Sequence, residues 1–160
     1  MAAKHTLRIL VVDHDEDAVK ATTSMLEYLG YTVQGERESL RALRAFSKDP
    51  AKFDLAIIEP TMPKLMGVEL AKRLRRLRRD FPVVLYAGYV APPLKETIKA
   101  ARLGRTVFKP LSLHELGDVV RRVLHRDSRV RRLSSSGFAD CLCCVWTVIA
   151  PMPWGPTLRA

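Results

Sequence analysis

Cysteine is scarce: the chain of 160 residues has three, and Cys141, Cys143 and Cys144 all fall within four positions. No widely spaced pair is available to staple a secreted fold, so a reducing compartment is expected. The cluster also lacks the C-x-x-C spacing of a zinc site, with His125 the nearest histidine. It reads instead as small apolar side chains beside Val145, Trp146, Val148 and Ile149, a patch suited to packing on a domain or a partner. Long apolar runs are missing as well. Leu7 to Val12 stops at Asp13, too short for a signal-peptide core, and Cys141 to Ala150 is half the roughly 20 residues a spanning helix needs. The expectation is a cytoplasmic chain with no membrane span. With 8 glycines and 10 prolines the composition is not collagen-like, and 48% apolar with 28% charged residues excludes disorder of the whole. One domain with its own core is the size expectation.

Acidic residues are short in one half only. Residues 1–60 carry 8 Lys plus Arg against 10 Asp plus Glu, whereas residues 61–160 carry 19 against 7, so −2 and +12 make the net +10. The basic excess is regional and does not by itself indicate a nucleic-acid binder.

The apolar pattern alternates between two periods. Arg8 to Val12 is a short, continuously apolar, β-branched run of the kind found in buried parallel strands. From Asp17 to Leu29, Ala18, Thr22, Met25 and Leu29 recur at helical spacing, and Gly30 supplies a stop. The alternation continues as strand Tyr31–Gln34, helix Ser39–Ser47, strand Leu55–Ile58, helix Val68–Arg79 and strand Val83–Tyr86. A helix facing inward through Leu94, Ile98 and Ala101 follows, then strand Thr106–Phe108. The last helix opens on Ser112-Leu113-His114-Glu115, a capping-box pattern, with Leu116, Val120 and Val123 inward. Five strand–helix pairs predict an α/β fold, a doubly wound five-stranded parallel sheet covered on both faces. In such sheets ligands bind at the carboxyl ends of the strands, where Asp13, Glu59, Ala87 and Lys109 are expected to converge.

These residues resemble the receiver domain of bacterial response regulators, whose simplest member is the chemotaxis regulator. The resemblance covers about residues 6–126 and is carried by Ile9-Leu10-Val11-Val12-Asp13, by Asp54 to Glu59 followed by Met62-Pro63 and Gly67, by Gly88-Tyr89, and by Lys109-Pro110. It implies a flavodoxin-like (βα)5 architecture and a pocket at Asp13, His14, Glu59, Thr61, Ala87 and Lys109. In the family a carboxylate after strand three accepts phosphate from a phosphohistidine, while Mg²⁺ held by an acidic pair after strand one offsets the charge. The phosphoacceptor position here is Glu59, one methylene longer than Asp, and a shift of about 1 Å costs phosphoryl transfer on the order of a hundredfold. His14 replaces the second acid, and imidazole is a poor Mg²⁺ ligand, so no metal and no cofactor are expected. Ala87 stands where a hydroxyl would bond the phosphate, and Thr106 where an aromatic residue accompanies that switch.

Two alternatives stay open for Glu59. It pairs with Lys109 and imitates in part a phosphorylated Asp, or it is an ordinary satisfied charge in an idle pocket. On either, the chain reads as a stand-alone, receiver-like module of two-component (phosphorelay) signalling. It would act by protein binding without aspartyl phosphorylation, and not as an enzyme. The expected partner is a histidine kinase or another signalling protein, and the resemblance adds a possible homodimer through residues 94–126. One alternative keeps phosphorylation of Glu59 by a cognate histidine kinase; another is a basic nucleic-acid-binding module. Nucleic acid is not the expected partner, because Leu70, Leu74 and Leu77 take the core face of the helix that carries Lys72–Arg79, its bases are left on the solvated side, and stacking aromatics are missing. Residues 127–160, basic and then apolar and proline-containing, with linker-like Leu133–Gly137, are read as a tail that either docks on the domain or is disordered.

Overall fold

β-Branched runs that alternate with amphipathic segments have one economical arrangement, strands side by side with helices returning across both faces. The computed structural model has that arrangement, and it describes residues 6–101 and 103–135, without the side chains of 126–135. The strands are β1 (Arg8–Val12), β2 (Thr32–Glu36), β3 (Leu55–Ile58), β4 (Val83–Ala87) and β5 (Arg105–Phe108). All pair in parallel in the order β2-β1-β3-β4-β5. The helices are α1 (Glu16–Tyr28), α2 (Ser39–Lys48), α3 (Gly67–Leu77), α4 (Pro92–Ala100) and α5 (Leu113–Ser135). The expected flavodoxin-like (βα)5 fold is thus present.

Two apolar layers hold the sheet. On one face Leu10, Ala56, Ile58 and Leu85 meet Phe46 of α2, Leu70 and Leu74 of α3 and Ile98 of α4. On the other, Ile9, Val11, Ile57 and Val84 meet Leu26 of α1 and Leu116 and Val120 of α5. The central strands are buried on both faces, which explains their unbroken hydrophobicity.

Several local expectations need correction. Helix α1 begins at Glu16, before Asp17, because the Asp15 carboxylate caps it by accepting from the Asp17 N–H at 2.9 Å. Its fully inward residues are Thr22 and Leu26, and Leu29 is the cap residue just beyond its end. In α3, Leu70 and Leu74 are buried but Leu77 is half-exposed. The chain turns out of the helix there, and Arg78 reaches inward instead. Its guanidinium donates to the Pro50 and Phe53 carbonyls, at 3.1 and 2.6 Å, and lies 5.1 Å from the Phe81 ring centre. A 3-10 turn at Pro50–Lys52, absent from the expected elements, precedes β3. The capping box of α5 forms: the Ser112 N–H donates to Glu115 Oε2 at 2.8 Å, and the Glu115 N–H to Ser112 Oγ at 3.3 Å. That helix continues to Ser135, past residue 126 and through the first residues of the segment read as linker. The cysteine patch and the proline-containing stretch lie outside the described residues.

Candidate functional site

At the carboxyl end of the sheet, three strand tips bring their polar side chains together. Asp13 follows β1, with its N–H bonded to the Glu36 carbonyl at 3.2 Å, and Glu59 follows β3, with its N–H bonded to the Val12 carbonyl at 2.8 Å. Lys109 follows β5 and donates its N–H to the Ala87 carbonyl at 2.8 Å. Each residue is therefore fixed by the ladder that ends at it, and all three side chains point into one pocket.

The Lys109 ammonium bridges both acids, donating to Asp13 Oδ2 and, at 2.8 Å, to Glu59 Oε2. The carboxylates are almost fully covered, while the lysine side chain keeps 22% of its surface in solvent. The remaining oxygens also have partners. Asp13 Oδ1 accepts from the Asp15 N–H at 3.0 Å, and Glu59 Oε1 from the Thr61 N–H at 3.3 Å. Burial by itself pulls the Lys109 pKa down, but the hydrogen bonds to Asp13 and Glu59 and their charges outweigh it and hold the ammonium above the ordinary lysine value.

The other expected pocket residues take lesser positions. His14 is half-exposed, its Nδ1 3.6 Å from Asp13 Oδ1, beyond hydrogen-bond range. Thr61 contributes its backbone N–H, and its side chain is at the surface. Ala87 is fully buried and offers only a methyl group and its carbonyl.

Tyr86 belongs to the site although no residue pattern singled it out. Its ring centre lies 5.4 Å from Lys109 Nζ, and its hydroxyl accepts the Leu111 N–H at 3.2 Å, so one side chain supports both the ammonium and the loop that carries it. An aromatic residue in an otherwise aliphatic strand, one position before the pocket, was the available clue. Tyr86→Phe keeps the ring and removes the acceptor. It is expected to cost about 1 kcal/mol in denaturant unfolding and to speed hydrogen exchange at the Leu111 amide.

The basic helix α3 is partly occupied with its own structure. Lys72 and Arg73 face Glu69 at 3.9 and 3.3 Å, and Arg75 Nε donates to the Phe81 carbonyl at 3.2 Å. Burial lowers the pKa of Arg75, while the nearby Asp80 charge works the other way. On α5, Arg121 and Arg122 both lie beside Asp118. No described helix is long and apolar enough to cross a membrane.

A family model described as the response regulator receiver domain matches residues 9–121. The response regulator receiver protein CpdR of Brucella abortus is 27% identical over 117 residues, covering 73% of this chain and 96% of that protein. The two-component response regulator ARR10 of Arabidopsis thaliana is 27% identical over 139 residues, or 84% of this chain, which spans only a quarter of that longer protein. Among solved structures, the chemotaxis protein CheY4 of Vibrio cholerae is 26% identical, with a TM-score of 0.68 over 74% of this chain and 99% of its own. A CheY-like receiver domain protein of Methanospirillum hungatei superposes with a TM-score of 0.72 at 24% identity, over 78% of this chain and 98% of its own.

Proposed function

Because the chain belongs to the response regulator receiver domain family of two-component signalling, we propose that it signals by protein contact, with its pocket closed by the Asp13–Lys109–Glu59 bridge and without a phosphorylation cycle. The observation that carries this reading is the single ammonium satisfying two covered carboxylates at the place where the family resemblance puts acceptor and metal chemistry. Every carboxylate oxygen of the pair already accepts a hydrogen bond from the chain itself. For Mg²⁺ the fit is poor. The ion requires near-octahedral oxygen ligands, the donor adjoining Asp13 is the His14 imidazole, and no group of three or more potential ligand side chains gathers among the described residues.

Position supports the same conclusion. The Glu59 backbone is anchored by its N–H to the Val12 carbonyl, and its carboxylate, one methylene further out than that of Asp, is engaged by Lys109. Acting by contact leaves the partner, a histidine kinase or another signalling protein, as the source of specificity.

Incubation with radiolabelled acetyl phosphate and Mg²⁺ is expected to leave the protein unlabelled. A stable acyl phosphate at Glu59, formed from the small donor or only with a histidine kinase, would overturn the reading. Glu59→Asp, His14→Asp and Ala87→Thr made together are expected to bring labelling back, since they restore reach, an oxygen ligand and a phosphate-binding hydroxyl.

A further inference from the structure

Segments 38–52 and 66–80, which hold α2 and α3, carry ten Lys and Arg against four Asp and Glu. The two helices share one layer of the core. Phe46 of α2 packs with Leu70 and Leu74 of α3, and its ring lies 4.6 Å from that of Phe81, just past α3. The Arg78 guanidinium on the Pro50 carbonyl ties the end of α3 to the turn after α2. With Ala42 and Phe46 turned inward, Arg41, Arg44 and Lys48 recur at three- and four-residue spacing along the outward side of α2. Arg76 takes the same place on α3, opposite Leu70 and Leu74, and Arg79 follows just past its end.

Arg41, Arg44, Lys48, Arg76 and Arg79 are all exposed, and none has a hydrogen-bond or ion-pair partner among the described residues. The nearby acids are engaged elsewhere. Glu69 faces Lys72 and Arg73, Asp49 accepts the Ala51 N–H at 3.1 Å, and the Asp80 charge acts on Arg75. Like charges held together without counter-charge repel, so the face favours any anionic surface laid against it. Across the sheet the sign reverses, because α1 opens on the run Asp15, Glu16, Asp17.

Three observations select the anion. Phe46, the single aromatic residue of the two helices, is buried, so the face offers nothing on which a base could stack. Both helices lie along the sheet, so neither can enter a nucleic-acid groove. Leu40 and Leu77, 39% and 50% exposed, flank the basic stripes, and such apolar surface suits a headgroup boundary and is of no use to a phosphate rod.

We propose that α2 and α3 form a face that rests on an anionic lipid bilayer. Headgroup phosphates and carboxylates pair with Arg41, Arg44, Lys48, Arg76 and Arg79, and the acidic start of α1 is turned away. Arginine, four of these five, forks onto phosphate oxygens. Each base close to such a surface raises partitioning about fivefold, so the set supplies a gain of about three-thousandfold. The contact is peripheral and needs no spanning helix. It goes beyond signalling by protein contact and holds whether or not Glu59 is ever phosphorylated.

The test is co-sedimentation of the full chain with vesicles of phosphatidylcholine containing about 30% phosphatidylserine, in about 0.1 M salt. Partitioning is expected to be at least about a hundredfold stronger than onto phosphatidylcholine alone, and to be largely lost at about 0.5 M salt. Arg41→Gln, Arg44→Gln and Arg76→Gln made together are expected to weaken it about a hundredfold, with helix propensity kept. Lys48→Gln with Arg79→Gln, expected to cost about twenty-fivefold, is the second variant should the triple change perturb folding. Arg121→Gln with Arg122→Gln, on α5 across the sheet, should stay within about twofold of wild type. Equal binding to both kinds of vesicle overturns the proposal. Undiminished binding by the variants overturns it as well, and assigns the contact to the arginines that follow residue 125. Tighter binding to a duplex of about 20 base pairs, at matched phosphate and salt, would make nucleic acid the partner and overturn it. Salt-sensitive self-association without vesicles, abolished by the triple change, would assign the face to the acidic α1 of a second copy and overturn it too.

Discussion

Replacing Lys109 with methionine is expected to destabilise the protein by about 3–5 kcal/mol at neutral pH, the cost of leaving buried charge without its partner. Methionine fills similar volume, so the loss reports charge and not a cavity. Asp13 and Glu59 would then face each other with 6% of either side chain in solvent and no cation between them. Neutralising one acid removes most of that conflict. The double variant Lys109→Met with Glu59→Gln is therefore expected to recover at least half the loss, a non-additivity that urea unfolding midpoints read directly. The pH dependence has a definite sign. The folded-state pKa of Lys109 is raised above 10.5, so its contribution is complete below that value and is lost as pH rises through the higher folded one. Wild type is thus expected to lose stability in this alkaline window, and Lys109→Met to show a shallower alkaline decline. Equal slopes for the two proteins would mean that the bridge contributes little.

The order of elements was legible because the central strands are buried on both faces and each helix on one, so periodicity separates them, while β2 and β5 at the edges are only partly covered. Ile9 to Val12 admits no half-wet strand, and Ser112 with Glu115 marks a helix start by chemistry that needs no tertiary contact. The errors fall where tertiary contacts override local pattern. Leu77 continues the spacing of Leu70 and Leu74, yet the Arg78 guanidinium draws the chain inward by binding two carbonyls from the segment before β3. The reach of α5 to Ser135 was missed for a local reason: Ser134 and Ser135 look like linker, but a preceding run of arginines is compatible with helix, and nothing in a serine forbids its last turn. Convergence of Asp13, Glu59 and Lys109 followed from topology, since parallel strands deliver their carboxyl ends to one place. Tyr86 was not legible. Its role depends on the side to which the β5–α5 loop folds back, which no spacing within β4 records.

Gly67 is the position where a single methyl group is expected to do most harm. A Cβ there would lie 1.9 Å from the Glu59 carbonyl oxygen and 2.9 Å from both its carbonyl carbon and Ile58 Cγ2, so the obstacle is backbone and cannot rotate away. The need for glycine is one of space: α3 begins here, with the Gly67 N–H bonded to the Pro60 carbonyl at 3.0 Å, and the helix start packs directly on the strand end that carries Glu59. Gly67→Ala must therefore push α3 away from β3 or move Glu59 itself. A cost of about 3 kcal/mol is expected, at the upper end for overpacking a well-packed interior, and a fall in melting temperature of about 10 °C. Because the moving group is the backbone of Glu59, the Thr61 amide resonance should shift with it, which a remote loss of packing would not produce. Gly88→Ala is the matched control: no atom lies within 4 Å of a Cβ built there, and it also follows a strand that ends at the pocket. It should stay within about 0.5 kcal/mol of wild type. If the two alanines behaved alike, the close approach of α3 to Glu59 would not be what positions the acid, and the Asp13–Lys109–Glu59 bridge would have to be held by the ladders alone.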